Sequence, residues 1–335
     1  MLLSVTLVVG VTAQKKKNKT DEEPPTQVLP PLPDPPDAVA AETARLSFQV
    51  SPLSNKGLLS QQVRDALKAL LRDNHGAQIV KLRAFVAGSG DLRRVQTIMV
   101  EEFTERKLAL PALSTIQAGA LPMTGAQVVI EATSVERRNV NSEGLIFYDA
   151  HVEEDAASAV DYLVTRSLGF EMLRVTCFLS SVDGAASMRT AAVSAFPGAA
   201  IDIVQTQRQS LRSFAACEGV ARILVLRMPV LPGTGVVRAP RIILTGTKLV
   251  FRDDDADIRL AFQRLGKAME PLGATFNDVF WTGVYPLTNP VAAKIGGLRT
   301  EFVGSRTAPA SSPVLFEGLP STDATAAIEV MAAGQ

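Results

Sequence analysis

After residue 43 the chain writes one pattern three times: an amphipathic helix, a glycine-containing turn, an alternating strand, a second helical stretch, then a loop and a last strand carrying one glutamate. In the first copy Val63, Leu67, Leu70 and Leu71 line one helical face, and "HGAQIVKLRAFVAG" (75–88) supplies turn and strand. The second copy runs through "AASAVDYLVTRSLGF" (156–170), "MLRVTCFLSS" (172–181) and "DGAASMRTAAVSAF" (183–196), and closes with "AIDIVQTQRQSLRSFAACEGVARI" (200–223). In the third, Ile258, Phe262, Leu265, Met269 and Leu272 hold helical spacing before "LGATFNDVFWTGVYPL" (272–287). The turn glycines Gly76, Gly169 and Gly273 align with the strand glutamates Glu131, Glu218 and Glu329 at similar intervals. Three α+β units of about a hundred residues are therefore expected, over 43–137, 138–228 and 229–332. Hairpin-like strands, "EGLIFYDAHV" (143–152) and "RIILTGTKLVF" (241–251), precede the helices of the second and third copies, and "ARLSFQVSPL" (44–53) precedes the first.

At 335 residues and 47% hydrophobic, the chain has apolar surface for several cores. Its 34 basic and 34 acidic side chains cancel, so no field for nucleic acid or for acidic substrates is written into it. The acidic run "RDDDAD" (252–257) reads as a turn and helix N-terminus, where carboxylates suit the helix dipole. Cys177 and Cys217 lie in apolar strands without metal-ligand spacing and read as packed free thiols. His75 and His151 stand isolated. No metal or cofactor signature appears, and the glycine pairs at 88–90 and 233–235 lack the strand, spacing and acidic partner of a dinucleotide fold.

The opening "MLLSVTLVVGVTA" (1–13) has the length of a signal-peptide apolar core and ends like a small-residue cleavage site. Its lysines follow the apolar run rather than precede it, which an uncleaved anchor or a start set too far downstream would also give. Export to an extracytoplasmic compartment, periplasmic or secreted, is the expectation if this segment is a signal, with no transmembrane helix in the mature form; otherwise the protein is cytoplasmic. Residues 14–42 turn to charge and proline and read as an extended linker.

Two phrases recur around the last strands: "PALSTIQAGALP" (111–122) and "PASSPVLFEGLP" (309–320), each followed by a stretch containing Ile-Glu. Together with Gly-Ala-x-x-x-Asp-Val and its apolar strand (273–284), and with "VTCFLSSVDGAASM" (175–188), they resemble the reactive-intermediate deaminase family, also called Rid or YjgF. The resemblance spans residues 43–332 and implies a chorismate-mutase-like unit, a mixed sheet backed by two helices. Members are commonly homotrimers with small-ligand clefts at the subunit boundaries. Three units in one chain then imply a covalent pseudotrimer, a monomer whose clefts are free to diverge from one another.

In active members the gap in Pro-Ala-x-Ser is an arginine that holds a substrate carboxylate by two parallel hydrogen bonds. Here it holds Leu113 in the first copy and Ser311 in the third, and Ile201 aligns in the second. The family's active-site glutamate falls at Val129, Ala216 and Ala327. Glu131, Glu218 and Glu329 lie two residues on, on the same strand face, and so could reach the same clefts. The resemblance thus implies loss of imine and enamine deamination, with clefts that bind another small molecule or serve as a scaffold. Ser114, Glu131, Arg208, Glu218, Ser311 and Glu329 are the candidate cleft residues, with Arg208, Arg299 and Arg306 as substitutes for the missing arginine. A divergent hydrolase with one intact cleft is the alternative. An endoribonuclease, as some relatives have been labelled, is disfavoured by the absence of excess positive charge and of a histidine pair.

Overall fold

The computed structural model describes residues 30–88, 91–210, 212–224, 231–303 and 309–335. The signal-like segment 1–13, most of the linker and Arg306 lie outside them. The first third folds as β1 (Ala38–Glu42), β2 (Leu46–Val50), α1 (Leu59–Asp73), β3 (Gln78–Ala87), α2 (Leu92–Glu105), β4 (Ala112–Ala118) and β5 (Val128–Val135). The second is β6 (Leu145–Glu153), α3 (Ala156–Arg166), β7 (Phe170–Leu179), α4 (Ala185–Ala195), β8 (Ala200–Gln205) and β9 (Ala215–Ile223). The last is β10 (Thr234–Val237), β11 (Arg241–Thr245), β12 (Lys248–Val250), α5 (Asp255–Met269), β13 (Val279–Pro286), α6 (Asn289–Phe302), β14 (Ala310–Pro313) and β15 (Ala326–Gly334). No helix among the described residues is long and apolar enough to cross a membrane.

The strands form three mixed sheets, ordered β2-β5-β3-β4, β10-β6-β9-β7-β8 and β1-β11-β15-β13-β14, with β12 also on β15. In each, one parallel pair closes the edge: β3 with β4, β7 with β8, β13 with β14. A parallel pair needs a crossover connection, and α2, α4 and α6 supply the three. Each sheet buries one face against its two helices, through Val63, Leu67 and Phe103 in the first, Leu163 and Met188 in the second, and Phe262 and Ile295 in the third. Helix starts follow local chemistry, since Asp91, Asp155 and Asp254 each accept a hydrogen bond from a backbone amide three residues on. The acidic run at 252–257 is thus a turn and helix start, with Arg252 clamped on Asp257.

The opposite faces of the three sheets meet each other. Alternation along the strands sends Leu46, Phe147, Trp281 and Met331 into one shared apolar cluster, and Phe85, Phe178, Tyr285 and Phe316 into another. Between these two layers, at the level of Lys81 and Arg83, lies a layer of charge.

Four expectations need correction. Cys177 and Cys217 are not free thiols: they stand directly opposite each other in the β7–β9 register and form a disulfide. Residues 38–42 are not linker but β1, paired residue for residue with β11. Strand β10, counted with the third copy, hydrogen-bonds to β6 of the second sheet. The segment 241–251 is not a hairpin, because β11 and β12 both run antiparallel to β15 as one interrupted strand. The interruption at Gly246 and Thr247 lets this strand touch β4, where the Thr247 amide donates to the Leu113 carbonyl at 3.2 Å.

Candidate functional site

Register makes the three sheets comparable residue by residue. Glu131 faces Arg83, Glu218 faces Thr176 and Glu329 faces Gly283 across β5–β3, β9–β7 and β15–β13. On the parallel side Arg83, Thr176 and Gly283 pair with Ser114, Asp202 and Ser312. The gap residues Leu113, Ile201 and Ser311 sit one step back, opposite Leu82, Val175 and Thr282. All three occupy one structural position, and none offers a charge. Leu113 packs into the first helix-facing core and Ile201 against the second.

The three glutamates do not open to clefts. Their side chains are buried and spent on one ionic layer. Arg83 spans two sheets, with Nε 2.6 Å from Glu131 and a terminal nitrogen 2.5 Å from Glu218. Arg174 lies 3.6 Å from Glu131 and 3.9 Å from Glu218. Lys81 donates to Glu329, to Ser114 Oγ at 2.6 Å and to the Thr245 carbonyl at 2.6 Å. The Tyr285 hydroxyl donates to Glu329 at 2.5 Å and accepts from Arg83 at 3.1 Å. Three cations thus answer three carboxylates. Burial works against the charged Glu131 carboxylate, but Arg174 and Arg83 outweigh it and hold it near about 2. Burial lowers Lys81, with Glu329 resisting. A void lined by Lys81, Arg83, Glu131 and Glu329 measures about 10 Å³, room for one water at most.

The serines relay between sheets in one sense. Ser114 donates to Glu329 and Ser312 donates to Glu218. The third equivalent is Asp202, and the third glutamate, Glu131, takes its hydroxyl from Thr176 instead. Asp202 is buried and its Oδ2 has no hydrogen-bond partner. Burial and the neighbouring Glu131 push its carboxyl up to about 7.

Asp202 also lines the cleft between the first and second sheets, where β8 approaches β2. This cleft has a volume of about 470 Å³, with apolar walls from Leu53, Met123, Val129 and Ile201, and Arg189 of α4 beside Asp202. A cavity of about 490 Å³ between the second and third sheets is lined by Gln207, Arg212, Phe214 and Asn289. At the third boundary the Thr247–Leu113 hydrogen bond holds the two edges together. The three boundaries have diverged.

Of the candidate residues, Ser114, Glu131, Glu218 and Glu329 belong to the ionic layer, and Ser311 lies on β14 beside it. Arg208 is exposed and tied by its amide to Glu317 at 2.8 Å, away from the glutamates. Arg299 reaches Thr282, the partner of Ser311, at 3.2 Å. Sequence reasoning missed Arg189 and Asp202; the one available signal was a lone aspartate inside the apolar strand "AIDIV" (200–204). No group of three or more His, Cys, Asp or Glu among the described residues could hold a metal ion.

No family model and no curated protein matches the chain. Solved structures do. Rv2704 from Mycobacterium tuberculosis, a member of the YjgF/YER057c/UK114 family, is 24% identical over 29% of this chain and 82% of its own, with a TM-score of 0.26. NMB1025, a YjgF protein from Neisseria meningitidis, is 14% identical over 30% of this chain and 84% of its own, also at 0.26. A chorismatase is 12% identical over 87% of this chain and 99% of its own, at 0.28. The YjgF/Rid resemblance read from the sequence recurs in these matches, each family member covering less than a third of the chain.

Proposed function

We propose that the chain is a Rid-like pseudotrimer, three fused units in one monomer, that binds a small molecule at an inter-unit cleft and does not deaminate imines or enamines of 2-amino acids. The observation that carries this reading is the joint fate of the two groups the family chemistry uses. The gap positions hold Leu113, Ile201 and Ser311, and the strand glutamates are consumed by Arg83, Arg174 and Lys81. A carboxylate already paired in a dry interior is a poor base for water, and without an arginine at the gap a substrate carboxylate has no fork to meet there.

The test is ammonia release from freshly generated 2-aminoacrylate by the full chain, beside an arginine-containing family member as control. Release at background is expected; a rate near the control's would overturn the reading.

A second reading, a divergent hydrolase, draws on the presence of Arg189 and the buried carboxyl of Asp202 on the lining of one cleft. Export is the proposal for its compartment, supported by the Cys177–Cys217 bond, since disulfides persist in oxidising surroundings.

A further inference from the structure

Two of the three positions that close the ionic layer are serines, and a serine there is enough: its hydroxyl donates to the next sheet's glutamate. At the third, the chain places a carboxyl where three cations already balance three glutamates. Asp202 faces Glu131 from β5, Arg83 from β3 and Arg189 from α4, and Arg83 is already committed to Glu131 and Glu218. Asp202 therefore has no cation of its own in the interior, and its Oδ2 is left unpartnered and shut off from solvent, on a residue that also lines the 470 Å³ cleft. A buried polar atom without a partner is costly unless something supplies one. Arg189, exposed on the same cleft, makes no hydrogen bond or ion pair to any described residue. Apart from Ser51, whose hydroxyl accepts from the Ile130 amide at 2.9 Å, the remaining walls are apolar.

We propose that this cleft binds a small organic anion with an apolar body and a neutral hydrogen-bond acceptor, Arg189 taking the anionic end and Asp202 donating its proton to the acceptor. The inference rests on the small-molecule reading above and gives it a ligand class. The charge is met where water still reaches the guanidinium, and the acceptor goes to Asp202, whose burial favours the proton-bearing carboxyl below about pH 7. The two contacts lie on separate elements, so each can be removed by itself.

The probe is 4-acetylbenzoate, compared with 4-isopropylbenzoate, which lacks the acceptor, and 4-methylacetophenone, which lacks the anion. Binding to the full chain is followed by calorimetry at pH 5.5 and 8.5, and by the methyl signal of Met123, which lines the cleft. Expected is a preference of tenfold or more for 4-acetylbenzoate at pH 5.5, shrinking at pH 8.5. Arg189→Gln should weaken both benzoates about tenfold and leave the neutral ketone unchanged. Asp202→Ser, which restores the residue type of the other two boundaries, should erase the preference for acetyl over isopropyl. Benzoate binding that neither substitution changes would overturn the proposal. If the Met123 signal responds only to neutral or cationic compounds from a wider panel, the ligand class is wrong and the small-molecule reading stands. If it responds to none, both fail.

Discussion

Arg83 holds Glu131 of its own sheet at 2.6 Å and Glu218 of the next sheet at 2.5 Å, so one guanidinium ties two sheets whose backbones otherwise meet, among the described residues, in a single bridge, Ala120 to Gln205. Such a tie explains how the middle of the axial core can be charged at all. Each ion is desolvated, and only near-complete pairing offsets that cost.

Removing one member should therefore hurt more than removing several. Glu218→Gln leaves Arg83 and Arg174 short of a carboxylate, and we expect a loss of about 3–5 kcal/mol in urea unfolding. Replacing Arg83 and Arg174 by Met together with Glu131 and Glu218 by Leu, which removes both arginines along with both carboxylates they share, should cost clearly less than the sum of the single changes. Additive losses would show that the network does not act as a unit.

Gly283 takes the place that Arg83 and Thr176 hold in the other sheets. A Cβ there would lie 2.6 Å from the Trp281 ring, 2.8 Å from the Tyr285 hydroxyl and 2.9 Å from Glu329 Cγ. In this unit the two aromatic neighbours fill what a side chain fills elsewhere. Gly283→Ala should cost about 1–3 kcal/mol by overpacking. Tyr285→Phe, which removes the crowding oxygen, should make the double variant more stable than additivity predicts.

Asp202 sets a pH dependence of stability. Its folded-state value of about 7 lies above the ordinary carboxyl value of 3.8. The folded protein thus binds a proton that the unfolded chain releases, and stability falls as pH climbs from about 4 to 7. Asp202→Ser should match the unsubstituted protein near pH 4 and exceed its stability at pH 8, by an amount on the order of a few kcal/mol. Parallel unfolding curves across that range would show that Asp202 is ionised in the fold.

How much of this the sequence shows depends on whether a feature is local or lies between copies. The two-residue strand period carried the three glutamates and the three gap positions into equivalent register, and turn glycines with helical stripes located the helices. The ionic layer was hidden because its partners come from different sheets. Lys81 and Arg83 in "IVKLRAFV" (79–86) look like edge charges until their strand is found buried on both faces. The disulfide was hidden for a like reason, since only the exact β7–β9 register sets Cys177 against Cys217. Strand β1 was masked by its proline-rich surroundings, and its partner is some two hundred residues away along the chain.

That partner gives β1 a particular role. In the second sheet β10, just C-terminal to the copy, pairs with β6. In the third sheet the corresponding place beside β11 is filled from the N-terminal side of the chain, by β1. The Gly246 amide also donates to the Asp37 carbonyl at 2.8 Å, and Val39 packs into the axial apolar cluster. The first strand among the described residues therefore completes the edge of the third sheet. A protein starting at Leu32 should unfold like the full chain, whereas one starting at Thr43 should lose about 2 kcal/mol from the partly buried Val39 and its alanine neighbours, Ala41 among them buried. Hydrogen exchange should report the loss first at Ile242–Leu244, whose partner has gone; equal protection in both proteins would show that β1 is dispensable.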